Sequence, residues 1–128
     1  MSFASTRHAS APSISHVSVA VPLSDLPEQV LRFGLVPYLV TVGSDRTSRV
    51  TSVAVSWQGE MLVAGLGTRT AANVRANRTV TLLWPALVPG QHALIVDGWA
   101  ELREHPDESV SVLIRPEKAV LHVTRRLM

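Results

Sequence analysis

The stretch RVTSVAVSWQGEMLVAGL, from Arg49 to Leu66, constrains the fold more than any other part of the chain. Its first half alternates with a period of two: Val53, Val55 and Trp57 fall on one face, and Ser52, Ala54 and Ser56 on the other. Successive side chains of a strand point to opposite faces, so this is the pattern of a half-buried strand. Gln58-Gly59 reads as a two-residue hairpin turn, because glycine takes the positive φ that such a turn requires. EMLVAGL is then the return strand. The surrounding sequence keeps the same period. PYLVTVGS reads as a strand before the hairpin, and TVTLLW and HALIVDGWAEL as strands after it. Gly98 marks a bulge or a close approach. ESVSVLIRPEKAVLHVTRR reads as two strand segments bent at Pro116.

Only two segments break this period. In the first, Asp25 is placed as an N-cap, Pro27 lies in the first turn, and Glu28 stands three residues after the cap, as in a capping box. Leu26, Val30 and Leu31 supply an apolar face, Gly34 offers a left-handed stop, and Pro37 prevents continuation. The second is a short helical piece from Thr70 to Asn77. Six or seven strands with few helices predict a mainly β fold, with one or two short helices. A small closed or partly closed barrel suits such a chain because it removes exposed edges. Residues 1–13, MSFASTRHASAPS, are small and polar and read as a loose tail. Residues 14–128 read as a single domain, long enough to bury a core.

Composition narrows the function. The chain is 46% hydrophobic and 17% charged, which suits a globular protein. No apolar run approaches the roughly 18 residues of a membrane span, and the N-terminus has no apolar core of a secretory signal, so a cytoplasmic location is expected. With no cysteine, disulfides and thiolate zinc sites are excluded. The net charge of +2 is too small for a non-specific nucleic-acid binder. Six aromatic residues scattered along the chain supply no stacking platform for single strands.

Candidate chemistry is sparse. The five histidines show no ligand spacing, so no metal site is expected. No Gly-x-Ser-x-Gly elbow is present, and Glu101 and Glu104 are expected to face water. No catalytic acid or base stands out. What remains is GTRTAAN, Gly67 to Asn73. Gly67 allows close backbone approach, and Thr68 and Thr70 offer hydroxyls, either of which can cap the following helix. Arg69 can fork onto phosphate oxygens. Helix N-terminal amides favour an anion. No Asp or Glu occurs between Met61 and Val96, while Arg69, Arg75 and Arg78 do. A capped turn with one solvated arginine explains the same letters about as well.

The order of these elements, with YLVTVGSDRTSRVTSVAVSW, EMLVAGLGTRTAANVRANRTVTLLW and GQHALIVDGWAEL, resembles the pyridoxamine 5′-phosphate oxidase-like, FMN-binding split-barrel superfamily. The likeness runs from about Leu35 to Leu102, with a weaker match in RPEKAVLHV. It implies a split β-barrel homodimer with two ligand sites across the interface. Thr68, Arg69 and Thr70 match the residues that hold the phosphate. The backbone of Val50, Thr51, Ser52 and Val53, with Ala64 and Gly65, matches the strands along the flavin ring. The resemblance implies FMN, or alternatively a deazaflavin, and hydride transfer with a small organic substrate. A non-catalytic flavin- or haem-binding protein of the same fold is the alternative. Tyr38, Trp57 and Trp84 are candidates for the ring pocket, although core packing accounts for each, and Trp99 for a dimer contact or the surface. The chain departs from the family at Thr70, where many relatives carry lysine. The charge-assisted hydrogen bond that a lysine makes to an anion is worth ~1.5–3 kcal/mol, and threonine cannot supply it. The chain also lacks the C-terminal arginine-histidine segment with which pyridoxamine phosphate oxidases grip their substrate, so that reaction is not expected.

Overall fold

The computed structural model describes residues 14–126. The expected tail, residues 1–13, lies outside the described residues. The elements in chain order are β1 (Ile14–Val21), a 3-10 turn (Leu23–Asp25), α1 (Leu26–Phe33), β2 (Tyr38–Val42), β3 (Ser48–Ser52), β4 (Ser56–Gln58), β5 (Met61–Leu66), α2 (Thr68–Ala76), β6 (Thr79–Trp84), β7 (Ala93–Glu104) and β8 (Val110–Arg126). All eight strands join one antiparallel sheet in the order β3-β2-β6-β7-β8-β5-β4, with β1 added along β8. The sheet is the rolled but unclosed sheet of a split barrel, and β3 and β4 are its two ends.

The period of two explains what the barrel buries. Leu39, Leu62, Leu82, Leu94, Val96, Val112 and Ile114 are inward-facing and essentially inaccessible. Each such side chain contributes roughly 1.5–3 kcal/mol by leaving water. The two helices sit at opposite ends of β6. Leu26 and Val30 of α1 enter the core at one end, near Trp84, whose indole Nε1 donates to the Gly34 carbonyl at 2.8 Å. Val74 and Ala71 of α2 are buried at the other end. Among the described residues no helix is long and apolar enough to cross a membrane.

Several sequence expectations need correction. Among the described residues there are eight strands, not six or seven, and β1 is the one that lies outside every expected strand. In β1 the letters Val17, Val19 and Val21 alternate with Ser18 and Ala20, but from Ser18 to Val21 only Val21 is buried. RVTSVAVSWQ is two strands: β3 pairs with β2, and β4 with β5. Between them Val53 and Val55 donate to the carbonyls of Pro37 and Leu35 at 3.0 and 2.8 Å. Side-chain direction alternates through the bend, so the period hides the change of partner. The hairpin turn is Gly59-Glu60, since Gln58 pairs with Met61, and Gly59 takes φ +61°. Asp25 makes no capping hydrogen bond, because the preceding 3-10 turn already coils the chain there. Leu31 is 79% exposed, so α1 buries only Leu26 and Val30 of its expected face. Gly34 has φ +103° with ψ 178°, a positive φ but not a left-handed helical turn. Finally, β8 is one strand of 17 residues. The bend is a bulge: Asp97 pairs with Lys118 and Gly98 with Pro116, which leaves Glu117 as the extra residue.

Candidate functional site

The helix α2 begins at Thr68, two residues earlier than expected, and Gly67 occupies the N-cap in an extended conformation. The expected cap by Thr68 or Thr70 is therefore not formed: both lie inside the helix, and no side chain caps it. The amides of Thr68, Arg69 and Thr70 have no partner within the helix, as in any first turn. No acid lies in that turn. The helix terminus thus presents amide donors and a partial positive charge, with no side-chain cap or first-turn acid among the described residues. Thr68 and Arg69 are exposed there.

The helix is held by its other face. Thr70, Ala71 and Val74 are buried. Asn73 donates from Nδ2 to the hydroxyl of buried Thr41 on β2, at 3.1 Å. Gly43 makes room for that asparagine, since a Cβ at Gly43 would lie 2.8 Å from Asn73 Oδ1. Arg75 pairs with Glu104 on β7 at 3.3 Å, an exposed contact of little weight. Glu101 and Glu104, both on β7, are exposed.

The structure brings β3 to the same place through a residue that no sequence motif marks. Arg49, next to Val50, donates from Nε to the hydroxyl of Thr70 at 3.2 Å. Its two terminal nitrogens make no hydrogen bond or ion pair among the described residues. A guanidinium therefore stands beside the buried hydroxyl of Thr70. A signal for it was present. Arg49 shares the parity of Val53 and Val55, and its cross-strand partner Thr41 is fully buried. A cation on the core face of a strand must find a polar partner at the rim.

The other named residues divide by side-chain direction. Val50 is 59% exposed, Ser52 and Gly65 are exposed, and Thr51 is half-buried. Val53 and Ala64 point into the core and can offer a ligand only their backbone. β3 is an end strand, so one of its edges has no pairing strand. Gly65 and Gly67 stand apart among the seven glycines. Three others take positive φ and two face atoms closer than a Cβ tolerates, whereas Gly65 and Gly67 do neither and have nothing within 4 Å. The fold gives no packing reason for either. Cavities of about 380, 430 and 530 Å³ lie elsewhere in the chain, and none is lined by Val50–Val53, Ala64, Gly65 or Thr68–Thr70. Of these residues Val50, Ser52, Gly65, Thr68 and Arg69 are exposed, while Val53, Ala64 and Thr70 are buried.

The aromatic candidates also separate. Trp84 is 2% exposed and belongs to the core, and Trp57 packs against it. Tyr38 and Trp99 are 43% and 37% exposed. His122 faces β1 and shares a hydrogen bond with Ser18. No cluster of three potential metal-ligating His, Asp or Glu side chains occurs among the described residues.

No protein-family model matches the chain, and no curated protein matches it. Solved structures do. A provisional pyridoxamine 5′-phosphate oxidase from Listeria innocua superposes with a TM-score of 0.65 at 21% identity, over 78% of this chain and 98% of that one. An F420 reductase gives 0.58 at 24% identity, over 72% and 94%. The haem storage protein HutZ of Vibrio cholerae gives 0.63 at 14% identity, over 83% and 97%. The chain thus has the split-barrel fold of the pyridoxamine 5′-phosphate oxidase-like proteins. At these identities the likeness speaks for the fold alone.

Proposed function

We propose that the chain is a cytoplasmic oxidoreductase that binds FMN, or the related deazaflavin, and transfers a hydride to or from a small organic substrate in the cleft of a homodimer. The observation that carries this reading is the uncapped, acid-free N-terminus of α2 beside Arg69 and Arg49. Thr68 and Arg69 would hold the phosphate directly. Thr70 is buried and would act through Arg49, fixing its Nε so that the other two nitrogens point a fork at the anion. Arg49 restores from β3 the charge that the family's lysine supplies from the helix. Gly65 and Gly67 would let a flat ring approach the backbone, with Val50, Thr51, Ser52 and Val53 along its other side. Hydride chemistry is the bound cofactor's own contribution. The exposure of Val50, Ser52, Gly65, Thr68 and Arg69 fits a site closed by a second copy. A cysteine-free chain needs no oxidising compartment.

The test is an absorbance spectrum of the purified protein, then titration with FMN and with deazaflavin under tryptophan fluorescence. Arg69→Ala is expected to weaken binding at least about tenfold while the melting temperature of the free protein barely moves. Unchanged affinity refutes the phosphate seat. Sedimentation as a 13.9 kDa monomer at micromolar concentration removes the two-chain site. Haem binding is a second reading, favoured by haem-binding proteins among the structural neighbours. A saturable Soret band with haem, and no response to either flavin, would replace the first reading with it.

A further inference from the structure

The end of the barrel away from α2 carries a second group of polar side chains, around a cavity. A cavity of about 430 Å³ lies between α1, the β6–β7 connection and β8. That volume is in the range usual for small-molecule sites. Phe33 and Leu121 form its apolar wall, and Gln29, Arg32, Gln91 and His92 its polar one. None of these four side chains makes a hydrogen bond or ion pair among the described residues. No Asp or Glu lines the cavity, so Arg32 has no counter-ion within it.

Gln29 is the sharper observation. Its Oε1 is buried without a donor, the one such side-chain atom among the described residues. A buried carbonyl that loses water and gains nothing destabilises the fold. Leucine at this position would avoid that cost, so packing within the described residues gives no reason for the amide. The helix C-terminus offers a reason for Arg32, since a cation there complements the dipole. It offers none for Gln29. The two residues are three apart on α1 and project from one face.

We propose that this cavity is a binding site for a small organic carboxylate that also carries a hydroxyl or amine on an apolar body. The carboxylate pairs with Arg32, the hydroxyl or amine donates to Gln29 Oε1, and the apolar body lies between Phe33 and Leu121. Both helices flank β6 but at its opposite ends, so this site does not depend on the phosphate seat at α2.

The experiment is calorimetric titration of the full chain with 4-hydroxybenzoate, benzoate and phenol, with amide NMR shifts to locate the contact. 4-Hydroxybenzoate is expected to bind most tightly and to move the resonances of α1 and of residues 87–92. Arg32→Gln should weaken it about tenfold, to the level of phenol. Gln29→Leu should erase the preference for 4-hydroxybenzoate over benzoate without lowering the melting temperature of the free protein. Arg69→Ala should bind it as the wild type does, which separates this site from α2. No saturable binding at millimolar concentration, equal binding of phenol by the wild type, or an Arg32→Gln variant that binds as before would each overturn the proposal.

Discussion

Gly65→Ala separates what the fold needs from what a ligand needs. A Cβ built at Gly65 meets nothing within 4 Å, and the residue has no positive φ. Alanine therefore fits the folded strand without strain. Glycine inside a strand costs roughly 0.5–1 kcal/mol relative to alanine, because the unfolded chain gives up more freedom. With an unfolding entropy of about 2.1 cal/mol/K per residue, that gain raises the melting temperature of this 128-residue chain by about 2–4 °C. If a flat ring rests against this backbone at van der Waals distance, the added methyl occupies its space. FMN affinity should then fall at least about tenfold, or 1.4 kcal/mol. Thermal melts of both proteins without ligand, at equal concentration, followed by fluorescence titration, measure the two effects separately. A variant that melts lower than the wild type refutes the packing argument. One that melts higher but binds FMN as tightly refutes the ring pose.

Gly98→Ala should behave in the opposite way: its Cβ would lie 2.7 Å from the Arg115 carbonyl and 2.8 Å from Ile114 Cγ2. Overpacking of this kind costs about 1–3 kcal/mol, read as a lower urea midpoint with an unchanged slope; an unchanged midpoint counts against the close approach. Arg49→Gln keeps a donor for Thr70 but removes the charge, so phosphate-bearing cofactor should bind about tenfold more weakly with little change in stability, and loss of folding instead would make Arg49 a structural residue. Acid stability should depend on Asp45 and Asp107, whose carboxyls are held below the ordinary value first by side-chain hydrogen bonds from Thr47 and Ser109 and then by the backbone amides of the same residues. Both groups are lowered on folding, so their contribution is complete above the unfolded carboxylate pKa and is lost as pH falls through the folded one. The Asp45→Asn, Asp107→Asn double variant should lose less melting temperature than the wild type between about pH 5 and 2, and parallel curves would show that these turns do not matter.

Much of the barrel was legible because alternation reports which way a side chain points. Val53, Val55, Leu62 and Leu82 face inward as their spacing requires. Alternation is silent on pairing. It could not separate β3 from β4, and the alternation of Val17, Val19 and Val21 with Ser18 and Ala20 in β1 does not reveal that its partner is β8, at the other end of the described chain. Capping signals were weaker still, because Asp25 is itself the last residue of a 3-10 turn and Gly67, not a threonine, is the N-cap of α2. At the candidate site, Arg69 was visible as a lone cation in a glycine-rich turn. Arg49 was not, since its meaning depends on a contact with Thr70 across 21 positions of sequence. The cavity beside α1 left no trace in any motif, because it is formed by three elements distant in the chain.

The long strand β8 has a consequence for the order in which the protein can be made. Along one edge it meets β7, and along the other first β5 and then β1. β1 has no other partner, and Ile14 waits for Arg126. On the ribosome, the earliest of the described strands therefore emerges with its backbone donors and acceptors unpaired, and the last one must arrive before they are satisfied. Such distant pairing folds slowly and leaves an open edge in the nascent chain. A ribosome stalled before residue 110 would hold β1 without its partner and β5 with only the three-residue β4 beside it.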